Sequence, residues 1–544
     1  MSASYAIDFG TSNTVITRWN SATQQPETVS LPGISLQLSQ NPPLIPSLLY
    51  LEDANQGKAI VGQAVRDRGL DLSFDNRFFQ SFKRGIGADI QGFLPELDGK
   101  TTSFEEVGRL FFNQIISQLS SSLHQEAGNS EKKAIIESLI LTVPVDSFET
   151  YRHWLTGVCQ ALPVEQVRIL DEPTAAALGY GIADGDTLLV IDFGGGTVDL
   201  SLVQLNQSSQ TNNQPIGFIL KWGDKSLGDN SGQKVKIARV LAKAGQNLGG
   251  SDLDNWLVDY FAKTQGLMKS PLTTRLAERL KIQLSERESA TEVYFNDETF
   301  ESYELKLDRR SFETILREHR FFEILDRKMA QLLQQGRRSG IEASDINAVL
   351  LVGGTVKIPA VQSWVTKYFD PDKIRCEKPF EAIAQGALQL TQGIEIQDFI
   401  YHNYGIRYWD RRHNSHNWHS IIQAGQPYPM DKPVELILGA SIANQPRIEL
   451  VIGELGADTT TTEVYFEGDR LMTRQIDAGQ TTVQTLNDRD GARSLAQLDP
   501  PGSPGSDRIK IQFWVDDQCS LRVNVEDLLT NQTLLANQSV AQLR

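Results

Sequence analysis

Apolar residues occur in short runs that end in glycine, and longer stretches with a repeat of three to four residues separate these runs up to about residue 393. The runs "SLILTVPV", "LLVIDFGGGT" and "AVLLVGGT" are typical of buried strands. The stretches "FEEVGRLFFNQIISQLSSSL" and "RSFETILREHRFFEILDRKMAQLLQQGRR" place apolar residues on one helical face. This alternation predicts an α/β fold with phosphate-type loops at the strand ends.

The pattern changes after residue 403 to short alternating strands, as in "RIELVIGEL", "TTEVYFEGD" and "RIKIQFWVDD". The sequence "PPGSPGSD" at 500–507 predicts an exposed loop, and residues 205–240 predict loop insertions. We therefore expect three segments. They are an α/β domain at 1–393, a linker at 394–402 and a β-rich domain at 403–544.

Composition narrows the possible partners and the compartment. The chain has 544 residues, a formal net charge of -16 and three cysteines without CxxC spacing. The length predicts two or three packed units, and the acidic balance disfavours binding to nucleic acid or to an anionic membrane. Neither a disulfide framework nor a zinc site is indicated. Because no signal-peptide pattern or long apolar run occurs, we expect a cytoplasmic protein.

One short sequence occurs twice: Ile-Asp-Phe-Gly stands at 7–10 in "AIDFGTSNTV" and at 191–194 in "VIDFGGGTVDL". Each copy predicts a strand, a glycine turn and a second strand. Glycine lets backbone N–H groups approach a phosphate, and the hydroxyl and amide side chains that follow add donors. A single copy could be a core strand with a glycine turn, but two matched copies favour a phosphate clamp. Its predicted residues are Gly10, Thr11, Ser12, Asn13, Gly194, Gly195, Gly196 and Thr197.

The aspartate of each copy has a separate predicted role. Mg²⁺ bound to a polyphosphate keeps several waters and takes few carboxylates. Asp8 and Asp192 are therefore candidates to hold the hydrated ion from opposite sides of a cleft.

These hairpins resemble the paired phosphate loops of the actin, sugar-kinase and seventy-kilodalton heat-shock superfamily. Three more stretches are similar to the heat-shock chaperone branch: "RILDEPTAAALGYG" at 168–181, "NLGGSDLD" at 247–254 and "VLLVGGTVKIPAVQ" at 349–362. The resemblance covers residues 4–393. It implies an actin-like duplicated ATPase domain followed by a smaller β-sandwich domain, with ATP/ADP and Mg²⁺ as cofactors.

Further nucleotide-binding residues are expected from these stretches. Glu278, Lys281 and Ser285 fall on one helical face, which by resemblance contacts adenine and ribose and otherwise would be an ordinary solvated face. The two glycines of "VGGT" follow an apolar strand, where a nucleoside or α-phosphate could lie against backbone, although a plain strand-to-helix turn is the alternative. The remaining candidates are Gly249, Gly250, Asp252, Gly353 and Gly354.

Hydrolysis of a γ-phosphate needs a placed water and charge stabilisation more than covalent chemistry. Lys83, in "FFQSFKRGIG", suits the γ-phosphate and the attacking water, unless it is a surface lysine. Thr197 can hydrogen-bond a γ-phosphate oxygen. Glu172 and Asp199 can each orient water or accept its proton, and the spacing leaves open which is the general base.

By resemblance, Pro144 and Arg152 relay the nucleotide state to the second domain; otherwise they would end a strand and cap a helix. Phe380 departs from the family pattern, which has an acidic residue there. Between 394 and 408, "IEIQDFIYHNYGIRY" keeps an acidic-then-apolar linker pattern in altered form.

The resemblance implies an ATP-dependent chaperone of the stress response whose slow hydrolysis controls the binding of unfolded polypeptide, with a J-domain protein and a nucleotide exchange factor as possible co-chaperones. The family's helical lid has no counterpart before the sequence ends, so we expect a lid-less, divergent member and a monomer. The alternative is a nucleotide-gated scaffold or exchange partner for one dedicated client. A small-molecule kinase or an actin-like filament is less favoured, because the chaperone-branch stretches and the β-rich segment fit neither.

The sequence "HNSHNWH" holds His413, His416 and His419. On a helix these imidazoles could share a metal, and the neighbouring arginines and aromatics could bind single-stranded nucleic acid. Because Asn and Ser favour a turn, a polar loop at a hairpin tip is the preferred interpretation.

Overall fold

The structure is a computed structural model. It describes residues 2–20, 22–37, 41–72, 74–87, 90–91, 94–126, 135–144, 149–181, 185–207, 236–296, 300–392, 400, 403–410, 415–423, 426, 428–430, 432–455, 460–467, 470–477, 483–486, 493–516 and 519–543. Most of the predicted insertion at 205–240 and of the linker at 394–402 lies outside these residues.

Strands and helices alternate up to residue 392. The strands are β1 (Ser2–Phe9), β2 (Asn13–Asn20), β3 (Gln25–Thr28), β4 (Ile45–Pro46), β5 (Leu48–Asp53), β6 (Lys58–Val61), β7 (Phe78–Gln80), β8 (Ile90–Gln91), β9 (Glu96–Leu97), β10 (Lys100–Thr101), β11 (Ile135–Val143), β12 (Val164–Asp171), β13 (Thr187–Phe193), β14 (Val198–Gln207), β15 (Lys236–Gln246), β16 (Ser289–Asn296), β17 (Glu301–Asp308), β18 (Ile346–Val352) and β19 (Ile374–Arg375). The α-helices are α1 (Gln63–Asp67), α2 (Phe104–Glu126), α3 (Glu149–Ala161), α4 (Glu172–Gly179), α5 (Gly250–Gln265), α6 (Pro271–Glu286), α7 (Arg309–Glu318), α8 (Phe321–Arg338), α9 (Pro359–Val365) and α10 (Ala382–Leu388).

Two central sheets have the same topology. The first has the strand order β12-β11-β1-β2-β3, with β4 also paired to β2, and the second has the order β15-β14-β13-β18-β19. In each sheet an antiparallel three-stranded meander is extended by two parallel strands, which join at the meander's first strand. The repeated Ile-Asp-Phe-Gly sequence therefore ends the same strand of two equivalent sheets.

Helices α4 and α10 pack between the two sheets. Ala6 and Ile140 of the first sheet and Val190 and Leu350 of the second belong to one buried cluster with residues of both helices. The helices meet backbone to backbone, because a Cβ at Gly386 would lie 1.8 Å from the Ala175 carbonyl oxygen. Only glycine permits this approach, which fixes the spacing of the sheets.

The stretch expected to form one long helical pattern at 310–338 is instead two helices. Arg320 lies between α7 and α8 with φ 55°, in the left-handed region. A non-glycine residue cannot continue a right-handed helix in this conformation. The apolar repeat nevertheless continues across the break, because Ile315 and Leu316 in α7 and Leu325 in α8 all enter the core of the second sheet.

Every regular element that the structure describes after residue 400 is a strand. These are β20 (Asn403–Asp410), β21 (Ser415–Ile422), β22 (Val434–Gly439), β23 (Gln445–Leu450), β24 (Ile452–Leu455), β25 (Thr460–Glu467), β26 (Arg470–Asp477), β27 (Val483–Thr485), β28 (Arg493–Gly502), β29 (Asp507–Val515), β30 (Ser520–Asp527) and β31 (Gln532–Gln542). The larger sheets have the orders β21-β20-β24-β27 and β22-β29-β30-β31. Ile406, Ile452, Phe513 and Val523 share one apolar core.

Two expectations for this region need correction. The stretch "RIELVIGEL" is two strands that meet at Val451, and β28 continues through Gly502, so only part of the expected loop at 500–507 lies between strands. Within the expected linker, Ile400 is fully buried and donates its N–H to the Gln426 carbonyl oxygen at 2.9 Å.

The histidine segment is a strand where it is described, and not the expected loop. His416 and His419 lie in β21, opposite Trp409 and Ile406 of β20, while His413 lies outside the described residues. Since successive side chains of a strand alternate between faces, two residues three apart point to opposite sides. The helical spacing that would let these two imidazoles share a metal is therefore absent.

A short pairing joins the α/β segment to the β-rich segment. β8 runs parallel to β25, with Ile90 opposite Val464 and Gln91 opposite Tyr465. Since β25 also pairs with β26, this hairpin and β8 form a three-stranded sheet. None of the described helices is long and apolar enough to cross a membrane.

Candidate functional site

The turn after β1 and the turn after β13 face each other. A Cβ at Gly195 would lie 1.9 Å from the Ser12 Oγ, and one at Gly196 would lie 2.6 Å from the Thr11 Oγ1. A Cβ at Gly10 would lie 2.3 Å from the Asn13 carbonyl oxygen within its own turn. These contacts exclude larger side chains, so glycine is required where the two turns approach each other.

Neighbouring segments hold the second turn in place. Its Gly194 N–H donates to the Thr197 carbonyl oxygen at 3.1 Å, which closes the turn. The Gly194 carbonyl oxygen accepts from the Gly250 N–H at 3.1 Å and from the Thr355 Oγ1 at 2.8 Å. The loops before α5 and after β18 therefore meet at this turn, which brings the predicted residues Gly250, Gly353 and Gly354 to one place.

Lys83 lies between the two sheets as part of the same site. Its Nζ is 3.3 Å from the Glu172 Oε1 and donates to the Phe9 carbonyl oxygen. Burial alone would lower the pKa of Lys83, but Glu172, Tyr151 and Asp8 outweigh burial and raise it. Lys83, whose side chain is 12% exposed, is thus a largely buried cation beside a carboxylate and not a surface lysine.

Carboxylates are in excess around this lysine. Burial and the Glu172 charge raise the pKa of Asp8 to about 7, although Lys83 and a 2.8 Å hydrogen bond from the Thr142 hydroxyl act against the rise. Burial, followed by Glu172, Asp199 and Asp8, raises the pKa of Asp192 well above its ordinary value. Asp192 lies directly opposite Asp199 across the β13–β14 pair. Such a concentration of negative charge favours binding of a cation.

The residues therefore fit Mg²⁺ and a polyphosphate. Glycine turns expose backbone N–H groups, and oxygen-rich carboxylates are the ligands that Mg²⁺ prefers. Among the described residues, no group of three or more His, Cys, Asp or Glu side chains is arranged to hold a metal directly.

The predicted adenosine face of α6 makes contacts within the protein. The Lys281 Nζ donates to the Asp254 Oδ2 and to the Gly250 carbonyl oxygen, both at 2.8 Å. Glu278 pairs with Arg66 at 2.6 Å, and the Ser285 hydroxyl donates to the Lys281 carbonyl oxygen at 3.2 Å. Lys281 thus tethers α6 to the start of α5.

Two residues that the sequence analysis missed are central to this site. The Arg84 Nη2 donates to the Gly196 carbonyl oxygen and to the Asp252 Oδ2, the latter at 2.8 Å, and the side chain is 5% exposed. Asp252 also accepts from the Gly249 N–H at 2.7 Å. Asp254, the partner of Lys281, is the second missed residue, and burial raises its pKa to about 7. The sequence signal that could have identified Arg84 is its position directly after Lys83.

One of the two expected relay residues, Pro144, lies next to the carboxylates. Pro144 follows β11 and lines a small cavity of about 10 Å³ together with Glu172, Asp192 and Asp199. Arg152 lies in α3, and its side chain is outside the part of the chain that the structure describes. Pro144 and the carboxylate cluster therefore line the same small cavity.

The chain was compared with protein-family models. The model for the family named Hsp70 protein matches residues 66–211 and 236–399, which is more than half of the chain. The matched segments contain Lys83, Glu172, Asp192 and the loops before α5 and after β18.

Proposed function

Because the chain belongs to the Hsp70 family, we propose that it is an ATP-dependent molecular chaperone. ATP binding and slow hydrolysis by an actin-like domain at 1–393 would control the binding of unfolded polypeptide by a β-sandwich domain at 403–544. Residues 394–402 would link the two. The observation that carries this proposal is the Lys83–Glu172 pair, which lies between two glycine turns on topologically equivalent sheets.

The nucleotide's phosphates would lie between the turns at 10–13 and 194–197. Asp8 and Asp192 would hold Mg²⁺ through water, and the ion when bound would neutralise charge on the phosphate oxygens. Thr197 would donate a hydrogen bond to a γ-phosphate oxygen. The cationic Lys83 would position the attacking water, because an ammonium attracts both the water oxygen and the phosphate. Glu172 and Asp199 are the two candidates to accept the proton.

Coupling to the second domain requires two states that nucleotide binds unequally. Pro144 supports such coupling by its position, because it lines the same cavity as Glu172 and Asp192. In the second domain, the strands β22 and β31 at the edges of one sheet offer backbone groups, and an extended peptide can bind a sheet through such groups. We further propose a cytoplasmic monomer that works with a J-domain protein and a nucleotide exchange factor.

The test is single-turnover ATP hydrolysis with and without a panel of unrelated apolar peptides. Acceleration by several peptides, lost in Lys83→Ala, is expected for a coupled chaperone. Hydrolysis that depends on Lys83 but ignores every peptide would contradict it and would favour the dedicated-client scaffold. Absence of both hydrolysis and ATP binding would exclude both functions.

A further inference from the structure

Four aromatic rings form a continuous series beside the phosphate site. The ring centroid of Phe112 lies 5.0 Å from that of Phe9 and 6.1 Å from that of Trp154. The Trp154 centroid in turn lies 5.5 Å from that of Tyr151. Phe9 ends β1, Phe112 lies in α2, and Tyr151 and Trp154 lie in α3. Three separate elements therefore place the series, and Phe9 and Tyr151 are its two ends.

Both ends of this series lie next to Lys83. The Lys83 Nζ is 5.5 Å from the ring centroid of Phe9 and 6.0 Å from that of Tyr151. An aromatic ring attracts a cation at such distances. Phe9 is 2% exposed and Tyr151 is 4% exposed, so packing holds both rings in place. The ammonium therefore lies against two fixed aromatic rings.

The hydroxyl of Tyr151 is a buried polar group that the rest of the fold does not use. Among the described residues, it has no hydrogen-bond partner. Burial raises the pKa of Tyr151 to about 12, so the hydroxyl keeps its proton at neutral pH. Buried polar atoms in native proteins nearly always have a partner, and an unpaired one costs free energy. A role at the neighbouring site would explain why this chain keeps a tyrosine here.

Tyr151 and Lys83 also influence each other electrostatically. Burial lowers the pKa of Lys83, whereas Glu172 and then Tyr151 raise it. Burial raises the pKa of Tyr151, and Lys83 acts most strongly against that rise. An ammonium has three N–H groups, and those of Lys83 face the Phe9 carbonyl oxygen and, at 3.3 Å, the Glu172 Oε1. A third N–H is therefore left for a further partner.

We propose that Tyr151 is a positioning residue for ATP hydrolysis: its ring confines the Lys83 ammonium beside Phe9, and its hydroxyl is a neutral polar partner for that ammonium. Confinement matters because a fixed ammonium loses little conformational freedom when it binds the terminal phosphate. Tyr151 acts through Lys83 and does not itself touch the nucleotide. The inference rests on the proposed nucleotide-binding function, which assigns Lys83 to the terminal phosphate.

The first experiment measures how well Lys83 is confined in the nucleotide-free full chain. Acetic anhydride would label lysines in the unmodified chain, Tyr151→Leu and Tyr151→Phe, and mass spectrometry would compare Lys83 with Lys281, whose side chain is also 12% exposed. Tyr151→Leu removes the ring, whereas Tyr151→Phe removes only the hydroxyl. Tyr294→Leu is the matched control variant, because Tyr294 is 6% exposed and lies in β16, outside the ring series.

Tyr151→Leu should raise the labelling rate of Lys83 about 5-fold, as expected for the loss of a cation–π contact, and leave that of Lys281 unchanged. Tyr151→Phe should keep most of the protection, because it keeps the ring. An equal rise at both lysines would make Tyr151 a structural residue and overturn the proposal. Protection of Lys83 that persists in Tyr151→Leu would overturn it too.

The second experiment measures the terminal phosphate without hydrolysis. Calorimetry would compare Mg²⁺–ADP with the Mg²⁺ complex of the non-hydrolysable analogue β,γ-imido-ATP. Tyr151→Phe should weaken binding of the analogue about 3-fold, as expected for one lost hydrogen-bond partner, and leave ADP binding unchanged. In a Lys83→Ala background the same substitution should have no effect, because Tyr151 acts through Lys83.

Equal weakening of both nucleotides, or an equal effect in both backgrounds, would overturn the proposal. This result also keeps the inference falsifiable if Tyr151→Leu fails to fold, because Tyr151→Phe preserves the packed ring. If the unmodified chain bound neither nucleotide, the proposed function itself would fail, while the labelling of Lys83 would still decide whether Tyr151 confines it.

Discussion

Carboxylates are partly buried in the cleft and fully buried in the C-terminal sheet, and their pKa values are shifted in opposite directions. Asp527 is 1% exposed, and Arg508 donates to both of its oxygens at 3.0 and 2.8 Å. Burial alone would raise the pKa of Asp527, but Arg508 and the Leu529 and Thr530 N–H groups lower it. In the cleft, burial and neighbouring carboxylates raise the pKa of Asp8 and Asp192. Removing one partner of a balanced buried pair leaves an uncompensated buried charge and destabilises the fold, whereas an excess of one charge favours binding of a ligand of the opposite charge.

Asp527→Asn should give the largest effect, because it leaves the Arg508 guanidinium buried without a counter-charge. We expect the C-terminal sheet to lose about 3 kcal/mol of unfolding free energy. Chemical denaturation followed by hydrogen exchange in β29 and β30 would measure the loss. Asp507→Asn, at an exposed position on the same strand, is the control.

Acidification provides a second test of this pair. Since folding lowers the pKa of Asp527, its contribution is present above the ordinary pKa of 3.8 and is lost as the pH falls through the lower folded value. Unmodified protein should therefore lose stability of the sheet in that range more steeply than Asp527→Asn. Identical acid profiles would mean that the pair does not set the stability.

Lys83→Ala should lower single-turnover hydrolysis about 100-fold, because it removes the cation among the surplus carboxylates. Lys58→Ala is the matched control, since that side chain is 67% exposed and pairs only with Glu52 in the described structure. A comparable loss in both variants would contradict a specific role for Lys83.

Asp192→Asn should change stability in the direction opposite to Asp527→Asn. Removing one of several crowded negative charges should stabilise the nucleotide-free protein by about 1 kcal/mol while weakening Mg²⁺-dependent nucleotide binding. Thermal unfolding without nucleotide measures the first effect, and calorimetry with and without Mg²⁺ measures the second. Destabilisation of the nucleotide-free protein would show that neighbouring positive charges balance the cleft carboxylates, as Arg508 balances Asp527.

The smallest effect is expected for Arg66 and Glu278, which form an ion pair across the cleft with side chains 22% and 25% exposed. A partly hydrated pair of this kind contributes about 0.5 kcal/mol. A double-mutant cycle with Arg66→Met and Glu278→Gln, read out by thermal unfolding, should give a coupling of this size. A coupling free energy as large as the loss expected for Asp527→Asn would contradict the idea that a partly hydrated ion pair contributes less than a buried one.

The local sequence predicted many strands, helices and turns of the α/β segment, but it did not predict the contacts between distant residues. The repeated Ile-Asp-Phe-Gly placed both turns correctly, because a strand and a glycine turn are local features. The break at Arg320 was not predicted, since the apolar repeat continues across it. The contacts of Lys281 with Asp254 and Gly250 could not be predicted from α6 alone, because they join this helix to the start of α5.

The C-terminal β-rich segment was less predictable for the same reason. His416 and His419 have a helix-compatible spacing, yet cross-strand partners in β20 make them part of a sheet. The Arg508–Asp527 pair joins two strands and leaves no signature in either strand alone. The family match ends at residue 399, so it gives no guidance there.

The pairing of β8 with β25 connects the C-terminal hairpin to the segment that contains Lys83. β8 begins seven residues after Lys83, and its two residues pair with Val464 and Tyr465 of β25. The ladder that the structure describes has two residue pairs, so few hydrogen bonds hold β25 beside β8. Movement of β25 away from β8 would therefore expose the backbone groups of Ile90 and Gln91 to water, seven residues after Lys83.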